Sequence, residues 1–468
     1  MQSATVPPPQ TDSSVRPYRW QLFALSMAML LPSLGTSIAN VALPTLAGAF
    51  GATFPQVQWV VLGYLLALTT LIVSAGRLSD VFGRTRLLLV GIAIFAVASV
   101  SCALAPSLWA LVAARFLQGL GAAVMMALTT AMVRDVVPQN RTGSAIGLLG
   151  TVSAVGTALG PTLGGALIHW FDWPAVFFFL AGASVATLLV VRRSIAIDRP
   201  VERASASFDY AGSILLALSL GAYALSMTLG GGELTWFNAM MAAFAAVGFV
   251  AFAFVETRVP SPLVKLELLR DRTIGTGLVS IGLVSVIMMS TLVVGPFYLT
   301  NALGLDAVRT GLVMSIGPGV AAATGFPAGQ LVDRLGSFRI MLTGIVLVAS
   351  GAALMTVLPD VFGVPGYAGA LATITAGYAL FQAANNTAVM NSVGPDRRGV
   401  TSALLGLSRN LGLITGASAM GALFAFATKS LVFWDLAVGE AAGLKATFGA
   451  AVMLAIATLL LVVKGRQR

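Results

Sequence analysis

Read for hydrophobic and polar positions alone, the chain is a series of apolar runs, each about 20 residues or longer, separated by short polar breaks. At 1.5 Å per helical residue such a run crosses the hydrocarbon of a bilayer, so each is expected to be a membrane-spanning helix. The runs fall at 19–49, 57–76, 87–105, 107–133, 144–169, 174–192, 211–229, 237–256, 274–302, 309–328, 340–358, 366–391, 400–428 and 445–463, which makes fourteen. Gly230-Gly231-Gly232 divides the seventh from the eighth as two helices and a turn. Without that break the chain would read as twelve spans with one long insertion.

One polar break occurs twice. Gly76-Arg77-Leu78-Ser79-Asp80-Val81-Phe82-Gly83-Arg84-Thr85-Arg86 returns as Gly329-Gln330-Leu331-Val332-Asp333-Arg334-Leu335-Gly336-Ser337-Phe338-Arg339, with both glycines, the leucine and the aspartate in register. A duplicated chain is implied. In each copy a span is expected to end at the first glycine and to turn within about seven residues, the second glycine opening the next span.

Composition narrows the class. Of 468 residues 57% are hydrophobic and 9% charged, against roughly 25% charged in a soluble domain. The fold expected is therefore an all-α polytopic membrane protein. Cys102 is the one cysteine and lies in an apolar run, which excludes disulfides and thiolate metal sites. With one His, one Cys and no clustered carboxylates there is no triad, metal site or phosphate-cradling loop, so an enzyme or ATP-driven pump is not expected, and no cofactor.

The net charge of +10 reports orientation rather than nucleic-acid binding. With the N-terminus inside, Arg77, Arg84, Arg86, Arg134, Arg141, Arg192, Arg193, Arg334, Arg339, Arg397 and Arg398 share one side, while the outer loops hold only Arg309, Lys429 and Lys445. The positive-inside rule then requires an even number of spans, with both termini cytoplasmic. Residues 1–18 are polar and Pro-rich without a signal peptide's apolar core, and are expected to be a disordered cytoplasmic tail.

All 17 acids fall in tails, loops or the last turns of spans. Two arginines lie deep: Arg115 and Arg409, each about 12–14 Å below the nearest surface. Arginine keeps its proton and costs about 2.5–3.5 kcal/mol at mid-membrane on insertion scales, so neither faces lipid. Two readings stay open for each: a charge lining a water-filled path, or a structural arginine held by carbonyls and hydroxyls. Gln118 shares the face of Arg115. In the twelfth span Tyr378, Gln382 and Asn385, with Asn386 adjacent, form a polar stripe that is expected to line a cavity. Asn40, Trp59 and Tyr64 are weaker candidates. His169, at the outer end of the fifth span, reads as an interfacial anchor, although its pKa would suit proton exchange.

In the fifth span Gly156, Gly160 and Gly164 recur every fourth residue beside Pro161 and Gly165, leaving a stripe without side chains on which another helix can lie closely. Gly76, Asp80, Gly83 and Arg84, with Asp135 at the end of the fourth span, form a charged cluster on the basic side, worth about 1 kcal/mol or less per wet ion pair.

These stretches carry a family resemblance. Residues 76–86 resemble the loop between helices 2 and 3 of the major facilitator superfamily, and Leu111 to Gly121, around Arg115, is similar to its fourth-helix motif. Gly156 to Gly165 resembles the fifth-helix antiporter motif, and Phe208-Asp209-Tyr210-Ala211-Gly212 opens an extra helix pair typical of the fourteen-helix drug:proton antiporter branch. The resemblance implies two six-helix lobes, 19–192 and 274–468, joined by a linker of 193–273 with two extra helices. It further implies a role for Arg115 in proton coupling, a cytoplasmic latch at Asp80, Arg84 and Asp135, and a gating fifth helix. Leu34 to Pro44 resembles the first-helix motif, with one departure: the branch commonly carries an aspartate where this chain has Gly35. A carboxylate there can release a proton or neutralise a cation, and Gly35 can do neither.

The function expected is a monomeric secondary transporter of the inner or plasma membrane, surrounded by lipid, exporting small amphipathic or hydrophobic molecules in exchange for protons. An organic-anion exchanger or facilitator with a net-positive cavity is the second reading. A non-transporting receptor or scaffold is the third, and the lack of any sizeable soluble domain weighs against it.

Overall fold

The computed structural model describes residues 18–137, 142–195, 210–228, 235–259, 271–394, 398–430 and 439–467. The N-terminal tail, Phe208-Asp209 and the Gly230-Gly231-Gly232 turn lie outside the described residues. Every element described is helical: α1 (Tyr18–Phe50), α2 (Phe54–Val57), α3 (Trp59–Phe82), α4 (Arg84–Ala103), α5 (Leu108–Val136), α6 (Thr142–Phe171), α7 (Pro174–Ser194), α8 (Tyr210–Thr228), α9 (Trp236–Glu256), α10 (Arg272–Phe297), α11 (Ala307–Leu335), α12 (Ser337–Met355), α13 (Leu358–Phe362), α14 (Val364–Asn391), α15 (Arg398–Thr415), α16 (Gly421–Ser430) and α17 (Glu440–Gln467). Short π-helical turns, Tyr298–Ala302 and Gly416–Met420, continue α10 and join α15 to α16.

Among the described residues thirteen helices are long and apolar enough to cross a membrane. The expected span at 366–391 forms the 28-residue α14, in which Tyr378, Gln382, Asn385 and Asn386 dilute the apolar character.

The duplication is visible in the packing. In the first half α1 lies on α6, α3 and α4 on α5, and α4 on α7; in the second α10 lies on α15, α11 and α12 on α14, and α12 on α17. The repeated break is not a seven-residue turn, and the expectation that each span ends at Gly76 or Gly329 is corrected. α3 continues through Gly76 to Phe82, and α11 through Gly329 to Leu335. The chain reverses at one residue, Gly83 (φ 85°, ψ 137°) or Gly336 (φ 85°, ψ 148°), because apolar Leu78 and Leu331 let the helix run on until a residue without Cβ can take a positive φ. Eight residues past each turn the copies agree again. A Cβ on Gly91 would meet Val124 Cγ1 at 2.7 Å, and one on Gly344 would meet the Phe381 backbone nitrogen at 2.5 Å. Replacing Gly83 or Gly336 by alanine is expected to lower stability by roughly 1–2 kcal/mol per site, the cost of placing a Cβ in that conformation, read as earlier thermal unfolding of the purified protein.

Polar caps fix the other ends: Ser107 accepts from the Ala110 amide, Asp271 from Thr273 and Ile274, and Asp306 from Arg309. The extra pair packs through α8, with Ser213 and Ser74 hydroxyls 3.0 Å apart and the Trp59 indole donating to Thr228 at 3.0 Å. α8 also touches α16 and the π-helical turn before it, so it lies against both halves.

Candidate functional site

Arg115 stands where four helices of the first half meet. It is 0% exposed. Its Nε donates to the Val60 carbonyl of α3 at 3.0 Å, and Nη1 to the Gly35 carbonyl of α1 at 3.2 Å and to Gln118 Oε1 at 2.5 Å. Gln118 passes the contact to α4, donating to Ser99 Oγ at 2.7 Å. The guanidinium lies over the Tyr64 ring, 4.2 Å from its centre, and Tyr64 donates to the Pro32 carbonyl at 2.9 Å. Carbonyl dipoles and a π face thus hold the charge. In this conformation the side chain is fully buried, and its contacts are carbonyls, a side-chain amide and a ring. Its Nη2 is buried without a partner among the described residues. A Cβ on Gly35 would come to 3.0 Å from Phe95 Cζ and 3.7 Å from the Tyr64 hydroxyl.

The other polar candidates divide by exposure. Asn40 is buried and donates to the Thr36 carbonyl of its own helix at 3.1 Å, while Asn385, 1% exposed, donates to the Gly277 carbonyl of α10 at 3.2 Å. Asn385 therefore leaves the expected stripe and serves a helix seam. Tyr378, Gln382 and Asn386 share one half-buried face of α14 at four-residue spacing, and Arg409 of α15 is also half-buried, close enough to Tyr378 to act on it electrostatically. Sequence spacing alone did not separate Asn385 from Asn386, because a helix turns each successive residue by about 100°.

The glycine stripe of α6 is the seam against α1. Cβ atoms on Gly156 and Gly164 would meet the Leu30 carbonyl at 3.0 Å and the Ile38 carbonyl at 3.1 Å, and one on Gly160 would overlap Ser37 Oγ. α6 runs unbroken through Pro161. Gly165 and the Pro161 carbonyl lie against Ala307 and Gly311 of α11, and the hydroxyls of Thr162 and Ser315 are 2.5 Å apart, so the same helix joins the two halves.

Further contacts between the halves gather at this end. Gln58, at the bend between α2 and α3, donates to the Ala417 carbonyl at 3.0 Å, and Phe54 packs on Phe297 and Phe424 with ring centres 4.5 and 4.9 Å away. Sequence reading missed Phe54, Gln58, Thr162 and Ser315. The one signal was a lone amide, Gln58, at the mouth of an apolar run. Toward the other end Leu148, Val155 and Leu159 of α6 and Phe326 and Leu331 of α11 are exposed.

At that opposite, basic end Arg84 pairs with Asp135 at 2.5 Å, the side chains 39% and 51% exposed. Asp80 falls in the last turn of α3 and Gly76 within the helix; the side chains of Arg77, Asp80 and Arg134 lie outside the described residues. His169, in the last turn of α6, is exposed beside Trp170.

A duplicated bundle of helices long and apolar enough to cross a membrane, with a buried charge and a seam between its halves, defines a polytopic membrane protein. The Major Facilitator Superfamily family model matches residues 25–417, and the chain belongs to that superfamily. It is 30% identical over 419 residues to the uncharacterized transporter YebQ of Escherichia coli (strain K12), covering 88% of this chain and 91% of YebQ. The multidrug resistance protein Stp of Mycobacterium tuberculosis (strain CDC 1551 / Oshkosh) is 28% identical, with 86% of this chain and 75% of Stp covered. Among solved structures, the peptide transporter POT in complex with sulfate superposes with a TM-score of 0.73 at 16% identity, covering 99% of both chains, a likeness of fold.

Proposed function

We propose that this chain exports small amphipathic or hydrophobic compounds by alternating access, in exchange for protons, working as a monomer with both termini in the cytoplasm. The observation that carries the reading is the join between the halves, gathered at one end where Pro161 and Gly165 meet Ala307 and Gly311 with no side chain between the backbones. A seam of backbone surfaces, one hydroxyl pair, one amide contact and apolar rings can part without unburying a charge. The relatedness to Stp supports the substrate class.

Tyr378, Gln382, Asn386 and Arg409 are the groups this reading places on the path. Replacing Gln382 by alanine is expected to change the apparent affinity for substrate about fivefold to tenfold, one lost hydrogen bond, with thermal unfolding unchanged. One proton falling through about 100 mV supplies roughly 2.3 kcal/mol, sufficient for about a fiftyfold gradient. The test uses purified protein in liposomes with a pH dye inside and an imposed proton gradient, to which lipophilic cations, neutral drugs and organic anions are added in turn. Proton movement triggered by cations or neutral drugs upholds the reading. Silence with those, and exchange of an anion, replaces it by the organic-anion exchanger, which one observation favours: Arg409 is half-buried and makes no ion pair among the described residues.

A further inference from the structure

The two copies of the repeated break differ at several positions, and beside one of them, where Ser337 stands in the register of Arg84, lies a cavity. In the first half Arg84 follows the Gly83 turn and reaches across to Asp135 at the end of α5. In the second half Ser337 follows Gly336 in the same register and is too short to reach α14. Between the first turns of α10 and α12 and the last turns of α14 and α17 there is a space of about 340 Å³, large enough for a phosphorylated head group with the start of a hydrocarbon tail.

The groups around it are unspent. Arg272 of α10 makes no ion pair or hydrogen bond through its guanidinium among the described residues, and the neighbouring Asp271 carboxylate is occupied in capping α10. The hydroxyls of Thr273, Thr276 and Ser337 likewise bond to nothing described. Thr276 is telling, because helical hydroxyls in this chain commonly return to the carbonyl four residues back, as Thr36, Ser99 and Thr375 do, while Thr276 leaves that of Arg272 unused. Asn385 is 1% exposed, lines the cavity, and its Oδ1 accepts no bond. Met341 and Val462 supply an apolar wall, and Arg339 and Lys464, exposed, lie within two residues of Ser337 and Val462 in sequence.

A free guanidinium at the cavity mouth, three hydroxyl donors, one acceptor on the buried Asn385 and an apolar wall match a phosphate ester that bears further hydroxyls and an apolar group. We propose that this cavity is a binding site for such an ester, with Arg272 and Ser337 on the phosphate, Asn385 on a hydroxyl and Met341 against the apolar part. The chemistry is shared by an anionic phospholipid head group and a soluble phosphate ester. The site lies wholly within the second half and stands whether or not the transport reading holds.

The test is native mass spectrometry and thermal unfolding of the delipidated full-length protein with phosphatidylglycerol, phosphatidylcholine, glycerol 3-phosphate or inorganic phosphate. Phosphatidylglycerol is expected to bind and to raise the unfolding temperature. Arg272→Gln, and Met341→Trp, which fills the space, should each weaken it about tenfold or more, while Arg258→Gln, an arginine stacked on Phe254 elsewhere, should not. Arg272-dependent binding of glycerol 3-phosphate or inorganic phosphate would uphold the site with a soluble source. Equal binding of phosphatidylcholine, or binding unchanged in both cavity variants, would overturn it. Met341→Trp keeps the test decisive should Arg272→Gln fold poorly.

Discussion

Gly160→Val is expected to reduce transport to background and to destabilise the protein by about 1–3 kcal/mol, the usual cost of overpacking a close seam. A Cβ on Gly160 would overlap Ser37 Oγ, lie 2.8 Å from Ser37 Cβ and 2.9 Å from the Ile38 backbone nitrogen. Ser37 cannot swing away freely, since its hydroxyl is engaged with the carbonyls of Ser33 at 3.2 Å and Leu34 at 3.3 Å. α1 and α6 would have to separate, and α6 is also the helix that meets α11 through Pro161 and Gly165. Damage at one seam therefore reaches the other. Gly150→Ala, on the same helix with nothing within 4 Å of the added atom, is the control and should behave as wild type. Export assays in cells and unfolding of the purified variants decide the matter: a Gly160→Val protein that transports normally would mean that α1 and α6 do not need to touch here.

The second large effect is expected at Arg115. Arg115→Ala removes the donor from the Val60 and Gly35 carbonyls and from Gln118 Oε1, all at a fully buried position. Gln118 Oε1 is left without its donor, at about 1–3 kcal/mol, and a cavity remains where the side chain was, so a destabilisation of roughly 2–5 kcal/mol is expected together with loss of coupled transport. Arg115→Lys keeps the charge but not the planar fork, and should fall between. A variant that is stable yet no longer couples protons would assign Arg115 to coupling. One that unfolds early but couples normally would leave it a structural clamp, and undiminished transport against a gradient would sink the coupling role. Gly35→Asp probes the same place from α1. Its carboxylate would enter beside Phe95 and Tyr64, and transport of cations should improve; no change would mean that position 35 does not reach the path.

Much of this architecture is legible in the chain because the bilayer imposes it. A stretch of 20 apolar residues has one stable answer in hydrocarbon, a helix that satisfies its own backbone, and the duplicated break marks the halves because both turns need a residue without Cβ. The depth of Arg115 and Arg409, the glycine spacing of α6 and the distribution of acids were likewise plain. What surrounds each of these was not. Whether Arg115 meets water or carbonyls depends on Val60 and Gly35, 55 and 80 residues away in sequence. Whether Asn385 or Asn386 faces the interior space depends on the rotation of α14 against α10. The join at Phe54, Gln58 and Ser315 belongs to helices that touch only when both halves are assembled, and the cavity beside Ser337 forms only where four helices of the second half meet. Sequence determined which segments are apolar enough to span and which carry charge, since those follow from local hydrophobicity, while the residue at which α3 and α11 turn was decided by the structure. Only the tertiary structure decided which charge is buried, which seam is close and where space remains, since those depend on side chains brought together from distant spans.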